Sequence, residues 1–409
     1  MTAAETRSPP LAGRKVLDLS RVLAGPWATQ ILGDLGADVV KVENPDGGDD
    51  TRKWGPPFAS GEAAYYLCAN RNKRSLALNF ASEEGQRIVR EIAASADVLV
   101  ENYRTGGLAK YGLDYESVKA INPRIVYCSV TGYGQTGPKA EVPGYDYVIQ
   151  AEGGLMSVTG PTDGEPYKVG VAVADLFTGM AAAQAILAAL IAVDRDGIGQ
   201  HIDMALYDTQ LSMLANVGSA YLVSGEEPSR YGNGHATVIP YDLFETSDGE
   251  IVIACGNDAQ FGRFARDLMQ RPELAEDSRF ATNAGRVENR AALMREMRPA
   301  VAARPSEYWL EGMRAARIPC ARVRSVGQAL GAPETEARQM VRQVQHPLAG
   351  ALDLVGSPLK LGGTPVVPPS SPPLLGQHSD EILAEYGVAA DAVETLRQAG
   401  IVGRAPKAD

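Results

Sequence analysis

Between Lys15 and Val130 short apolar runs alternate with amphipathic ones, and no other feature of the chain restricts its fold as much. Lys15 to Leu19, Asp38 to Glu43, Asp97 to Val100 and Arg124 to Val130 are strand-length, apolar and partly β-branched. Pro26 to Leu35 reads as a helix with Pro at its first turn and Gly36 at its end, and Ser82 can cap a second helix whose apolar face includes Ile88, Val89 and Ile92. Strands separated by helices of this length require right-handed crossovers, which predicts an α/β, doubly wound, mostly parallel sheet covered on both faces. Ligands of such sheets bind beyond the carboxyl ends of the strands. Those ends lead into Ser20 to Gly25, Glu43 to Asp50, Glu101 to Gly107 and Thr131 to Pro138, all rich in Gly or polar groups. Only the last carries the G-x-G-x-x-G spacing, at Gly132, Gly134 and Gly137, and it follows the last of these strands rather than the first and runs into Pro138 instead of opening a helix, so NAD is not an expected cofactor.

The chain is too long for one core: at 409 residues it exceeds the roughly 250–300 at which single cores stop growing. Near Gly225 the texture changes to a hairpin-like pair, Tyr241 to Thr246 and Glu250 to Cys255 around Asp248 and Gly249, followed by charged helices through about Arg317. The expected division is a large domain over 1–224, a small one over 225–340, and a connector with a C-terminal part over 341–409. Within that last part Pro365 to Pro373 is stiff and Ser379 to Ala399 amphipathic. A net charge of −11 argues against nucleic acid or a polybasic membrane surface as partner, though a local basic groove for an anionic ligand is compatible with it. The four cysteines and four histidines are scattered, so neither disulfides nor a metal site is expected. The N-terminal run lacks the blocks of a signal peptide, and a cytoplasmic protein is expected. Leu176 to Val193 is nearly long enough to span a bilayer, but its alanines, Thr178 and Gln184 favour a buried helix of a soluble protein.

Three features carry possible chemistry. In VGVAVADLFTGM, residues 169–180, an apolar run ends at Asp175 where a long helix starts. Free amides and the helix dipole favour an ionised carboxylate there, available as a nucleophile, while an ordinary helix cap is the competing reading. The turn Gly232-Asn233-Gly234-His235 suits either a mobile lid or a simple connection. Arg52, Lys53, Arg71, Lys73 and Arg74, with Arg104 and Lys110 further on, suit either phosphate or carboxylate binding or a solvated face.

Ordered blocks along nearly the whole chain resemble the class III CoA-transferases, the CaiB–BaiF family. They include VLDLSRVLAGPWATQILGDLGADVVKVENPDGGD from Val16, NRNKRSLALNF from Asn70, ADVLVENYRTGGLAKYGLD from Ala96 and INPRIVYCSVTGYGQTGP from Ile121. GYDYVIQAEGGLMSVTG from Gly144, VADLFTGM from Val173 and IPYDLFETSDGEIVIACGN from Ile239 follow, then IPCARV and PPLLGQHSDEIL. The resemblance implies a Rossmann-like large domain built from both chain ends, a small α+β domain and an intertwined homodimer. It also implies acyl-CoA and a carboxylic acid as substrates, no metal, and Asp175 as the nucleophile.

The family's CoA contacts fall on Val22, Leu23, Ala24, Asn44, Leu78, Asn79, Phe80, Ala81, Asn102, Tyr103, Arg104, Lys110 and Tyr145. Leu23 stands where formyl-CoA transferases use glutamine, and Asn44 and Lys110 stand where arginines occur. Asp146 matches a second acidic position near the nucleophile, with a structural role left open, and Gly232 to His235 matches the family's glycine-rich lid. Tyr145 occupies the place of the racemases' histidine, and a phenol of pKa about 10 is a poor base, which disfavours racemisation. GDDTRKWGPPF, CANRNKRS and the run ending IPY resemble the succinate–hydroxymethylglutarate (glutarate) type. The implied reaction is CoA transfer, with succinyl-CoA the expected donor and a carboxylic or dicarboxylic acid the acceptor. Arg52, Arg71 and His235 are then candidates for the acceptor's far carboxylate. A racemase-type isomerase, a formyl-CoA or carnitine-type transferase, and an acyl-CoA-binding protein without catalysis are the alternatives.

Overall fold

The computed structural model describes residues 7–406. Contacts divide the chain into two compact units: one holds residues up to Leu155, Val169–Ser219 and everything from Pro333 on, the other Met156–Lys168 and Ala220–Ala332.

The larger unit is built on β1 (Lys15–Asp18), α1 (Ala24–Asp34), β2 (Asp38–Glu43), a minimal hairpin of β3 (Phe58–Ala59) and β4 (Glu62–Ala63), and the one-turn α2 (Ala64–Leu67). There follow β5 (Lys73–Ala77), α3 (Glu83–Ser95), β6 (Val98–Glu101), α4 (Tyr115–Ile121), β7 (Val126–Thr131), α5 (Asp146–Glu152), α6 (Val173–Asp196), β8 (Gln200–Ala205) and α7 (Leu206–Met213). Six strands form one parallel sheet in the order β5-β2-β1-β6-β7-β8. The order reverses between β1 and β6, as in doubly wound nucleotide-binding sheets.

Alternation along the strands feeds two cores. Val16, Val39, Val98 and Val126 pack against α1 and α6 on one face, while Leu17, Val40, Leu99 and Tyr127 pack against α3 on the other. Ser82 caps α3 by accepting the Gly85 amide at 3.1 Å, as the sequence predicts. The chain's end returns to this unit, where Val402 bridges Leu78. The amphipathic segment from Ser379 is two helices, Ser379–Glu385 and Ala390–Gln398, because Gly387 adopts a φ of +77° between them.

Helix α6 departs from the expectation of a buried helix. Ala182, Ile186 and Val193 are buried, but Phe177, Met180 and Ile191, the last 70% exposed, form an apolar stripe at helical spacing on the other side. Among the described residues it is the one helix long and apolar enough to cross a membrane. Its packing on α1 depends on Gly179, where a Cβ would stand 2.6 Å from the Ala24 carbonyl oxygen.

In the smaller unit, β9 (Tyr241–Thr246) and β10 (Gly249–Ala254) form the expected hairpin, and a third strand, β11 (Cys320–Arg322), adds antiparallel to β10. Phe244, Ile251, Phe261, Leu293, Met297 and Trp309 form its core. Segment 156–168 joins this unit because Arg230 donates to the carbonyls of Ser157, Pro161 and Gly164 at 3.4, 3.2 and 2.7 Å. No local pattern records such a tie, so the sequence leaves this segment with the large domain.

Candidate active site

At the reversal of strand order, the residues after β1 (Arg21 to Ala24), after β6 (Asn102 to Thr105) and after β7 (Gly132), with Tyr145 and Asp175, line a cavity of about 190 Å³. The switch-point rule puts a ligand at this place in the sheet. Gly132 and Gly144 both line it, and a Cβ on Gly132 would stand 2.7 Å from the Gly144 Cα. The backbone crosses itself there with no room for a side chain.

The loop after β1 is held against its own preference. Val22 has a φ of +71°, a region that β-branched residues avoid. Its amide donates to both oxygens of Asp49 at 3.2 Å, and buried Asp49 pairs with buried Lys41 at 3.0 Å. Asn102 clamps the preceding residue, accepting the Arg21 amide at 2.8 Å and donating to the Arg21 carbonyl at 2.6 Å. Beneath this loop Asp18 is buried with Lys73 at 3.1 Å. Burial alone would push its carboxyl up, but Lys73 and Lys41 with the Ser20 and Thr29 hydroxyls hold it down at about 2.

Asp175 sits in the first turn of α6, whose backbone cap, Ala172, supplies no side-chain acceptor. The ionised state expected from the helix N-terminus is not what the surroundings favour. Burial, and then the neighbouring Asp146 charge, push the Asp175 carboxyl up to about 7. The amides that should have favoured ionisation are taken: Asp146 Oδ1 accepts from Ala174 N–H at 2.8 Å and from Asp175 N–H at 3.4 Å. A carboxyl poised between its two forms near neutrality is chemically suited to attack an acyl carbon once ionised.

Phe80 reaches the cavity wall indirectly, edge-on to Tyr103 at 5.9 Å and to Tyr111 at 5.6 Å. Lys110 lies over the Tyr111 ring at 4.7 Å, and Arg21 over Tyr103 at 4.8 Å. Arg104 lines the cavity and is exposed, and neither it nor Lys110 is in an ion pair among the described residues. Leu78 and Asn79 are tied to the returning chain end, Asn79 N–H donating to the Ile401 carbonyl, and Ala81 follows at the surface. Asn44 lies in an exposed turn that its side chain closes by accepting the Asp46 amide. It does not line the cavity.

Two expected residues are corrected. Arg52 and Arg71, candidates for a far carboxylate, are committed inside the fold. Arg52 bonds Glu43 at 2.8 Å and Glu62 at 2.9 Å and lies over the Tyr66 ring at 3.7 Å. Arg71 grips both oxygens of Asp34 at 2.9 and 2.5 Å. Both guanidiniums are buried and bonded to carboxylates of the fold, which makes them structural cations rather than ones presented at the cavity beside Asp175. His235 belongs to the smaller unit, in a turn where Gly232 has a φ of +59° and His235 Nδ1 accepts the Thr237 amide at 3.1 Å.

One neighbour of Asp175 escapes the sequence pattern. Tyr65 on α2 has its hydroxyl pushed up to about 12, by burial first and then by the charges of Asp175, Cys68, Asp146 and Asp49. It stays neutral, a donor close to the nucleophile candidate, and packs edge-on against Trp54 at 5.3 Å. The aromatic run Ala64-Tyr65-Tyr66 carries no spacing that marks it, and only the fold brings it there.

Residues 11–379 match the sequence profile of CoA-transferase family III. The chain belongs to that family. It is 45% identical over 391 residues to the succinate–glutarate CoA-transferase of Agrobacterium fabrum, spanning 94% of this chain and 98% of the relative. It is 42% identical to the human succinyl-CoA:glutarate CoA-transferase, spanning 96% of this chain and 90% of the relative. A CaiB/BaiF family protein from Brucella suis has a solved structure that superposes with a TM-score of 0.83 at 47% identity, covering 93% of this chain and all of that one. This chain is a family III CoA-transferase, and the cavity at the switch point lies in the unit that carries its parallel sheet.

Proposed function

We propose that the enzyme transfers CoA from succinyl-CoA to a dicarboxylic acid, with Asp175 as the covalent carrier. The observation that carries this reading is the placement of a buried, elevated carboxyl in the cavity lined by the loops after β1, β6 and β7, which are the proposed CoA contacts. An ionised Asp175 oxygen attacks the thioester carbonyl, and CoA leaves as thiolate from an aspartyl–acyl anhydride. The thiolate attacks the Asp175 carbonyl carbon, releasing the first acid and leaving an aspartyl-CoA thioester. The acceptor carboxylate reverses the sequence. Activated acyl bonds are conserved throughout, and both intermediates must be kept from water; the turn Gly232 to His235 is the proposed lid. Arg21, Arg104 and Lys110 are the proposed phosphate-facing cations, since Arg52 and Arg71 are engaged elsewhere.

Similarity to succinate–glutarate CoA-transferases supports the dicarboxylate acceptor, and the apolar stripe of α6 supports a homodimer in which a second copy covers that face. Incubation with succinyl-CoA and a panel of acids tests the substrate assignment. Formation of glutaryl-CoA or another dicarboxyl-CoA is expected. Failure of every dicarboxylate, with transfer to monocarboxylates only, would overturn it.

A further inference from the structure

The carboxylate of Asp146 does for α6 what the helix's own N-cap leaves undone. Ala172 offers no side-chain acceptor, and the amides of Ala174 and Asp175 point instead to Asp146 Oδ1, at 2.8 and 3.4 Å. The other oxygen, Oδ2, accepts from Gln150 Nε2 at 2.7 Å. Gln150 is fully buried, and its own carbonyl oxygen accepts the Val169 amide at 2.9 Å, which fixes the orientation of its amide. Three donors therefore converge on Asp146, while the Asp175 carboxylate accepts no hydrogen bond among the described residues. Of two adjacent acids at the positive end of a 24-residue helix, the one that is not the proposed nucleophile receives the stabilisation.

We propose that Asp146 is a positioning residue for covalent catalysis: by occupying the amides at the start of α6 it leaves Asp175 the disfavoured carboxylate until Asp175 is acylated. The proposal rests on Asp175 being the nucleophile. When an Asp175 oxygen bonds to the thioester carbon and the C–S bond breaks, the electron pair and the negative charge depart on the CoA sulfur. A neutral anhydride then stands beside Asp146. When thiolate attacks the Asp175 carbonyl carbon and its C–O bond breaks, the charge departs on the released acid, and Asp175 is again neutral as a thioester. Like charge beside Asp146 exists only in the unacylated enzyme, so the repulsion favours both covalent states.

The other ionisable groups around Asp175 do not supply this effect. Tyr65 on α2 is neutral at working pH. Along the cavity wall Arg21 pairs with Asp50 at 3.7 Å, and Arg104, Glu141, Tyr103 and Tyr145 complete the titratable lining. Asp208 on α7 is exposed, and the one ionisable side chain of α1, Asp34, is gripped by Arg71. After burial, Asp146 is the neighbour that raises the Asp175 carboxyl.

The test uses Asp146→Asn and Asp146→Ser, each of which keeps a neutral oxygen for the Ala174 amide. Wild type and variants are mixed with succinyl-CoA alone between pH 5 and 9, quenched, and the Asp175 adduct quantified by mass spectrometry. The midpoint of adduct formation is expected to fall by about one pH unit in both variants, with a smaller covalent fraction at the plateau. A folded variant with the wild-type midpoint overturns the proposal alone; a wild type without adduct overturns the nucleophile assignment and the proposal together.

Discussion

Replacing Asp175 by Asn should stabilise the protein above neutral pH while abolishing transfer. The Asp175 carboxyl is raised from an ordinary 3.8 to about 7 by burial and by Asp146. A folded-state pKa above the unfolded one means that the native protein binds a proton the unfolded chain has released. Stability is therefore unaffected by this group at acid pH, is lost as pH rises from about 4 towards 7, and stays lost above 7. Each unit corresponds to about 1.4 kcal/mol, so the raised group costs the native state about 4 kcal/mol at pH 8, where it is held ionised, and about 1.7 kcal/mol at pH 5, where folding must take up a proton. Asn does not titrate and carries no such cost. Urea unfolding of both proteins at one protein concentration, at pH 5 and pH 8, should show the advantage of Asp175→Asn growing by about 2.5 kcal/mol between the two conditions. An advantage that is the same at both pH values would refute the assignment of an elevated, buried carboxyl and the physical account of its surroundings.

Three further outcomes are expected. Arg71→Met strands the buried Asp34 carboxylate and should cost about 3–5 kcal/mol in chemical denaturation, with KM for the acceptor acid unchanged in protein that remains folded; a large KM change without destabilisation would restore a substrate role. Gly132→Ala forces a Cβ to within 2.7 Å of the Gly144 Cα and should destabilise by about 1–3 kcal/mol, with loss of transfer activity, read by thermal unfolding and a coupled assay. On the proposed homodimer, Ile191→Arg places a charge in the apolar stripe of α6 that a second copy would cover and should lower the dimer fraction in sedimentation equilibrium; an unchanged distribution would rule that face out as the interface.

The sheet was legible because its strands are buried on both faces and its helices on one, so the two periodicities alternate visibly from Lys15 to Val130. The loops after β1, β6 and β7 could be named as a site before any side chain was placed, since the topology of a doubly wound sheet determines where ligands go. What the chain could not announce is pairing at long sequence separation. Arg52 and Arg71 look like free cations in the sequence and become structural only when Glu43, Glu62 and Asp34 fold against them. Asp175 looks ionised while its helix is considered alone, and the balance changes once Asp146, 29 residues away, takes the amides. The third strand of the small sheet and the join of segment 156–168 to the smaller unit have the same origin, contacts between distant residues that leave no local periodicity.

Covalent carriage of the acyl group and of CoA by Asp175 is the central claim, and mass spectrometry of the enzyme quenched with succinyl-CoA tests it most directly. The account predicts a peptide containing Asp175 that gains the mass of CoA with loss of water, sensitive to hydroxylamine and absent from Asp175→Asn. An unmodified Asp175 peptide in protein that is turning over succinyl-CoA and a dicarboxylate would contradict it.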